Sequence, residues 1–169
     1  MIQRPKPSSC IRYRVERIVE RLLIRIRLLD QQIDSIDADL ERVLPESHPQ
    51  IALLITIPGI GLVLARIIYT EIIDINYFKQ HPRYLTSYSG LAPMTDESAG
   101  RKGSEKLNRY CNYFMKYAFI EAAHNASGHP DYRRKYELDR KKHGKIIAKL
   151  NLARRIVKSV YWMLNSLAG

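Results

Sequence analysis

From Arg12 to Leu44 the chain has no proline and no glycine, and its apolar residues fall at Val15, Val19, Leu22, Ile26, Leu29, Ile33, Ile36, Leu40 and Val43. The steps alternate four and three without a slip. That seam is the signature of a coiled coil. At about 1.5 Å per residue the helix reaches roughly 50 Å. Its charges are polarised: Arg12, Arg14, Arg17, Arg21, Arg25 and Arg27 crowd the first half, and Asp30, Asp34, Asp37, Asp39 and Glu41 the second. In an antiparallel pair the basic end of one helix meets the acidic end of the other, whereas a parallel pair opposes like charges. The expectation is antiparallel association, in a dimer or with another helix of the chain. The competing reading is an amphipathic helix packed on its own domain.

The rest of the chain reads as short helices between breaks. Residues 1–11 contain Pro5, Pro7 and two serines and read as a flexible lead-in; 12–44 is the coiled-coil helix; 49–169 is a compact helical region. In that region two apolar stretches, Ile51–Thr56 and Leu62–Ile73, flank Pro58-Gly59-Ile60-Gly61. This is a helix-hairpin-helix pattern over about 51–73, whose turn exposes backbone N–H groups suited to phosphate. A hairpin used only for packing is the alternative. A turn follows at Asn76 to Gln80, and a short helix over about His81 to Ser89 carries Pro82 in its first turn. A loop spans about 91–105. The next helix runs from Glu105 or Asn112 to Ala126, with Asn112 as a cap inside it. A basic helix is expected over Asp131 to Lys142, Gly144 is a break, and a final helix runs from about Lys145 to Leu167. That helix puts Ile147, Leu150, Ala153 or Arg154, Val157, Tyr161 and Leu164 on or near one face. No strand alternation of useful length occurs, so the fold class is all-α.

Charge narrows the partners. The 169 residues carry a formal charge of +11 and are 46% hydrophobic, which argues for folding rather than disorder. Residues 1–98 hold 12 basic and 12 acidic side chains, while 99–169 hold 16 basic and 5 acidic, so the whole excess lies in the second part. A basic half this concentrated implies a polyanion, DNA or RNA. Cys10 and Cys111 make no disulfide framework, and a reducing cytoplasm is the default location. Cys111, His124 and His129 have the spacing of half a zinc finger without its second cysteine, so no metal site is expected. No secretory segment and no membrane-spanning run is seen.

The loop Gly90-Leu91-Ala92-Pro93-Met94-Thr95-Asp96-Glu97-Ser98-Ala99-Gly100-Arg101-Lys102-Gly103 sits where the neutral part ends and the basic part begins. Its glycines let backbone approach a ligand, and Arg101 and Lys102 attract phosphate. Ser98 is a candidate nucleophile toward a DNA phosphodiester; otherwise the loop is a nucleic-acid contact or simply a turn. Tyr110, Tyr113 and Tyr117 lie at helical spacing and read as packing. Tyr132 and Tyr136, set among Arg133, Arg134, Lys135, Arg140 and Lys141, could stack on bases while the cations hold phosphates. Trp162 reads as core.

These pieces occur in a telling order. Ile57-Pro58-Gly59-Ile60-Gly61 precedes Ala65, and Phe78 precedes Tyr84-Leu85 and Tyr88-Ser89-Gly90-Leu91-Ala92-Pro93. Ser98-Ala99-Gly100, Cys111-Asn112, Ala122-Ala123, Ala153-Arg154-Arg155 and Trp162-Met163-Leu164 follow. From about Leu53 to Leu164 this resembles the C-terminal domain of the insertion-sequence 110 family of transposases, which also includes DNA invertases. The resemblance implies a recombinase in two halves. An N-terminal RNase H-like domain holds magnesium on four acidic residues, and a coiled coil and the helical domain follow. The helical domain supplies a serine that attacks the DNA backbone, and some members are guided by a structured RNA. The family's serine maps to Ser98, in Ser98-Ala99-Gly100 rather than Ser-Gly, with Ser104 the nearest competitor for the role and Ser89 a weaker one. Its glycine before Asn112 is replaced by Cys111, and its arginine in the next helix by Lys116, which keeps charge but loses the bidentate fork.

The acidic half has no counterpart in this sequence, and the carboxylates of residues 1–50 lie along a helix face where they cannot converge on a metal. A fragment, a truncated product or a split subunit is the expectation, with Mg2+ arriving only with the acidic domain. A serine hydroxyl is a weak nucleophile until activated, and Arg101, Lys102 and Lys106 could neutralise part of the developing charge. The expected nucleic-acid contacts are Gly59, Gly61, Arg101, Lys102, Lys106, Lys116, Arg133 and Arg134. The primary reading is a DNA transposase component that binds DNA, with a guide RNA as a further partner, assembles through its coiled coil and does not cut alone. The alternatives are a non-catalytic dimeric helix-hairpin-helix protein and a purely structural coiled coil.

Overall fold

In the computed structural model, residues 7–78, 81–94, 106–107 and 111–168 are described, with backbone alone for 7–11, 94, 106–107 and 168. The chain divides into two units, Met1–Pro45 and Glu46–Gly169. The first unit is one helix, α1 (Pro7–Val43), of 37 residues. It begins before the expected start at Arg12. Pro7 is tolerated there because the first N–H groups of a helix have no partner within it. Every seam residue from Val15 to Val43 is exposed, from 37% at Leu40 to 73% at Val43.

The second unit comprises α2 (Pro49–Ile55), α3 (Leu62–Ile72), a single 3-10 turn (Ile75–Phe78), α4 (Pro82–Tyr88), β1 (Pro93–Met94), β2 (Lys106–Leu107), α5 (Tyr113–Ala126) and α6 (Pro130–Ala168). The protein is all-α, as its sequence periodicity indicates. Among the described residues the β structure is one antiparallel ladder, with Pro93 opposite Leu107 and Met94 opposite Lys106. Periodicity cannot register a two-residue ladder. It also displaces the helix start considered at Glu105: α5 starts after Asn112, whose side chain accepts from Met115 N at 3.0 Å.

The core forms around α5. Its Met115, Ala118, Phe119, Ala122, Ala123 and Ala126 are buried, and α5 packs on α6 and on α3, where Ala65 and Ile68 are buried. Four alanines on that face allow close backbone approach. At Gly59 an added Cβ would stand 2.3 Å from the Ala122 carbonyl oxygen, and φ there is +93°. Residues 145–168 of α6 complete the core with Ala148, Leu152, Ala153, Ile156, Val157, Val160, Tyr161 and Leu164. Within 145–168 Tyr161 is the buried aromatic, while Trp162 is 55% exposed, which corrects its assignment to the core.

At Gly144 (φ 84°, ψ 169°) the helical backbone of α6 is interrupted. Arg155 Nη2 lies 2.8 Å from Asp139 Oδ2. On a straight helix those residues would stand roughly 24 Å apart along the axis. The arms 130–143 and 145–168 therefore fold back on each other at Gly144. The expected break is present, and its consequence is a helical hairpin.

Candidate active-site loop and nucleic-acid interface

Hydrogen bonds fix the backbone that precedes and follows residues 95–105. After α4, Gly90 takes a positive φ of 65°, and the N–H groups of Leu91 and Ala92 both donate to Thr86 O, at 3.0 and 3.2 Å. Leu91 is fully buried, and its carbonyl accepts from Arg154 Nε at 2.6 Å. Arg154 is held in turn through Nη1 to Asn151 Oδ1 at 3.0 Å. The chain then enters the β1–β2 ladder. Past β2, Asn112 N donates to Tyr88 O at 2.9 Å, returning the backbone to the end of α4. The Asn112 amide also donates to Glu71 Oε2 and, at 3.0 Å, to the Tyr88 hydroxyl. One residue thus caps α5 and ties it to α3 and α4.

Ser98, Ser104, Arg101 and Lys102 lie outside the described residues, as do Asp96, Glu97 and Tyr110. Lys106 is described in backbone only, within β2. Ser89 is fully buried, and its Oγ donates to Leu85 O at 2.7 Å, so this hydroxyl is closed off inside the fold.

The other nominated positions separate by environment. Gly59 faces α5, whereas a Cβ on Gly61 would meet nothing within 4 Å. Gly61 is the N-cap of α3 and offers no side chain to the helix's first N–H groups. Lys116 is half-buried on α5. Arg133 and Arg134 are exposed on the first arm of α6, with Lys135, Lys141 and Lys142. Two of that arm's acids are engaged internally, Glu137 with Arg140 at 3.3 Å and Asp139 with Arg155. The arm therefore shows water a mainly cationic face.

Three aromatic assignments change. Tyr136 is 5% exposed and cannot stack on a base, while Tyr132 is half-buried. Tyr113 and Tyr117, read as packing, are exposed together with Phe114. Helical spacing identifies a face but not whether that face is covered. Among the described residues no group of His, Cys, Asp and Glu could hold a metal. His124 instead accepts from Lys149 Nζ at 2.6 Å, and His129 faces Asp131 at 3.5 Å. No helix among the described residues is long and apolar enough to cross a membrane.

Glu71, Tyr88 and Arg154 join the site without standing out in the sequence as site elements. Glu71, an isolated acid in the apolar run Leu62–Ile73, was the available signal. Arg154 occurs in the Ala153-Arg154-Arg155 motif, but its position beside Leu91 arises from the packing of α6 and has no local signal.

Fold and site together define an all-helical domain in which hydrogen bonds gather the backbone on either side of residues 95–105, and whose 130–143 arm is mainly cationic. The family described as Transposase IS116/IS110/IS902 family matches residues 51–137. The chain belongs to that transposase family. It is similar to the insertion element IS116 uncharacterized 44.8 kDa protein of Streptomyces clavuligerus, 28% identical over 153 residues, covering 89% of this chain and 38% of that protein. It is also similar to the insertion element IS110 uncharacterized 43.6 kDa protein of Streptomyces coelicolor, 29% identical over 151 residues, covering 87% of this chain and 36% of that protein. The chain spans less than two-fifths of the length of these relatives.

Proposed function

We propose that this chain is the serine-bearing part of a DNA transposase, with Ser98 as the nucleophile of DNA strand exchange. The observation that carries the reading is the family match over 51–137, which encloses the loop 95–105 between its two anchored ends. Ser98 Oγ attacks a backbone phosphorus, the 3′ or 5′ oxygen leaves, and the hydroxyl proton passes to a base. Arg101, Lys102 and Lys106 offset charge on the phosphoryl oxygens. Magnesium belongs to an acidic RNase H-like domain, and it would activate the hydroxyl and neutralise charge there.

Nucleic acid is held by the backbone at Gly61 and the N-terminus of α3, by Lys116, and by Arg133 and Arg134 on the cationic arm. Gly59 supports that turn by letting it close on α5. A structured RNA is a second polyanion the same arm suits. The α1 seam pairs copies antiparallel, supported by its uniform exposure and its polarised charge.

The test joins this chain to such an acidic domain and offers fluorescent donor DNA. A covalent protein–DNA species on a denaturing gel is expected for the parent and for Ser104→Ala, and not for Ser98→Ala. An adduct that survives Ser98→Ala and disappears with Ser104→Ala moves the nucleophile to Ser104. The non-catalytic reading predicts no adduct from any of the three.

A further inference from the structure

A cavity of about 250 Å3 in the second unit is lined by Glu71, Ile72, Ile73, Asp74, Tyr77, Phe78 and Tyr88. The family match and the serine loop assign nothing to it. Pockets that enclose a drug-sized ligand run about 300–1,000 Å3, so this one suits a single planar ring system. Its walls are aromatic and aliphatic. Phe78 packs edge-on to Tyr88 with centroids 5.5 Å apart, and Tyr77 packs edge-on to Phe78 at 6.1 Å. Phe78 is buried, whereas Tyr77 is 83% exposed and leaves its ring open to stacking.

The polar groups are sparse and directional. The Asn112 amide donates to one carboxylate oxygen of Glu71 and to the Tyr88 hydroxyl. Asn76 N donates to Asp74 Oδ1 at 2.9 Å. Among the described residues these bonds leave the second oxygen of each carboxylate for an incoming donor, and Tyr88, which accepts from Asn112, has its own proton to give. Two carboxylates repel phosphate, so in a protein that binds nucleic acid a base enters here and the backbone stays outside.

The geometry points to this cavity as a pocket for one unpaired guanine, stacked on Tyr77 and read through its Watson–Crick edge. Guanine presents two adjacent donors, N1–H and the N2 amine, to the oxygens of Glu71 and Asp74, and its O6 accepts from Tyr88. Thymine has a single imino donor, and adenine and cytosine have a single amine. Reading a displaced base by its pairing edge while it lies against aromatic rings is how proteins commonly hold unpaired nucleotides. The pocket rests on the nucleic-acid reading above and adds a base preference to it.

The test is fluorescence anisotropy with the intact chain and a labelled oligothymidine, either uniform or carrying one central dG, inosine, dA or dC. The dG oligomer should bind about tenfold tighter than the uniform one, in line with one well-made base contact. Inosine, without the N2 amine, should lose most of that gain. Asp74→Asn, which keeps an oxygen to accept from Asn76 N, should erase most of the dG advantage and leave uniform oligothymidine binding in place. Tyr77→Ala, at an exposed ring whose loss does not threaten folding, should reduce dG binding about tenfold with an unchanged circular dichroism spectrum. Equal binding of all oligomers overturns the pocket but leaves the nucleic-acid reading standing. So does a preference for dA or dC, or a dG advantage that persists in both variants. No binding to any oligomer at low salt overturns both.

Discussion

Two glycines in one turn have opposite surroundings. Gly59 combines a φ of +93° with a Cβ position 2.3 Å from the Ala122 carbonyl oxygen, which is backbone and cannot move aside. Gly59→Ala should destabilise the protein by about 3 kcal/mol or more, from backbone strain and overpacking together. Gly61 stands in open space, and Gly61→Ala should change stability by less than about 1 kcal/mol. Urea unfolding of both variants checks the pair. If Gly61 meets phosphate, its variant should also lose DNA affinity at full stability. The spacing Gly59-x-Gly61 was legible in the sequence. Which glycine faces the core was not, because the answer depends on Ala122, distant in the chain.

At the scale of elements, Gly144 decides how the basic arm is presented. Its φ of 84° and ψ of 169° belong to a region that only glycine populates freely. Space beside it is open, so Gly144→Ala is opposed by backbone conformation alone, at about 1–3 kcal/mol. The variant should lower the melting temperature and weaken the Arg155–Asp139 pair, which requires the two arms to fold back. An unchanged melting temperature would show that the turn does not need glycine. The break itself could be read from the sequence, since glycine between charged helical segments is a common stop. The hairpin could not, because a break carries no angle. The β1–β2 ladder escaped for a related reason: its two-residue strands are set by the hydrogen bonds at the feet of the loop, and they have no pattern of their own.

At the scale of the whole molecule, the charge division and the exposed seam lead to separate measurements. Binding of duplex DNA should fall steeply with salt. Replacing Arg133 and Arg134 with Ala should reduce the slope of log affinity against log salt by about 1 for each phosphate no longer neutralised, with the sequence preference unchanged. Leu22→Asp with Leu29→Asp places charge in the seam of α1, and sedimentation should then show a loss of self-association while the second unit remains helical. A parent chain that sediments as a monomer at all concentrations would remove the antiparallel pair.

By itself the sequence determined the helical class, the heptad helix, the basic second half, the breaks at Pro58-Gly59 and Gly144, and the family. All of these are written locally, in spacing, composition and the order of short motifs. Only the tertiary structure decided which residues stand together at the base of the loop. Asn112 joins Glu71 and Tyr88, Arg154 reaches Leu91, and Ser89 and Tyr136 are withdrawn into the core. Those outcomes depend on contacts between residues far apart in the chain, where a hydrogen bond or a buried face is fixed by packing and leaves no periodic trace in the amino acids that make it.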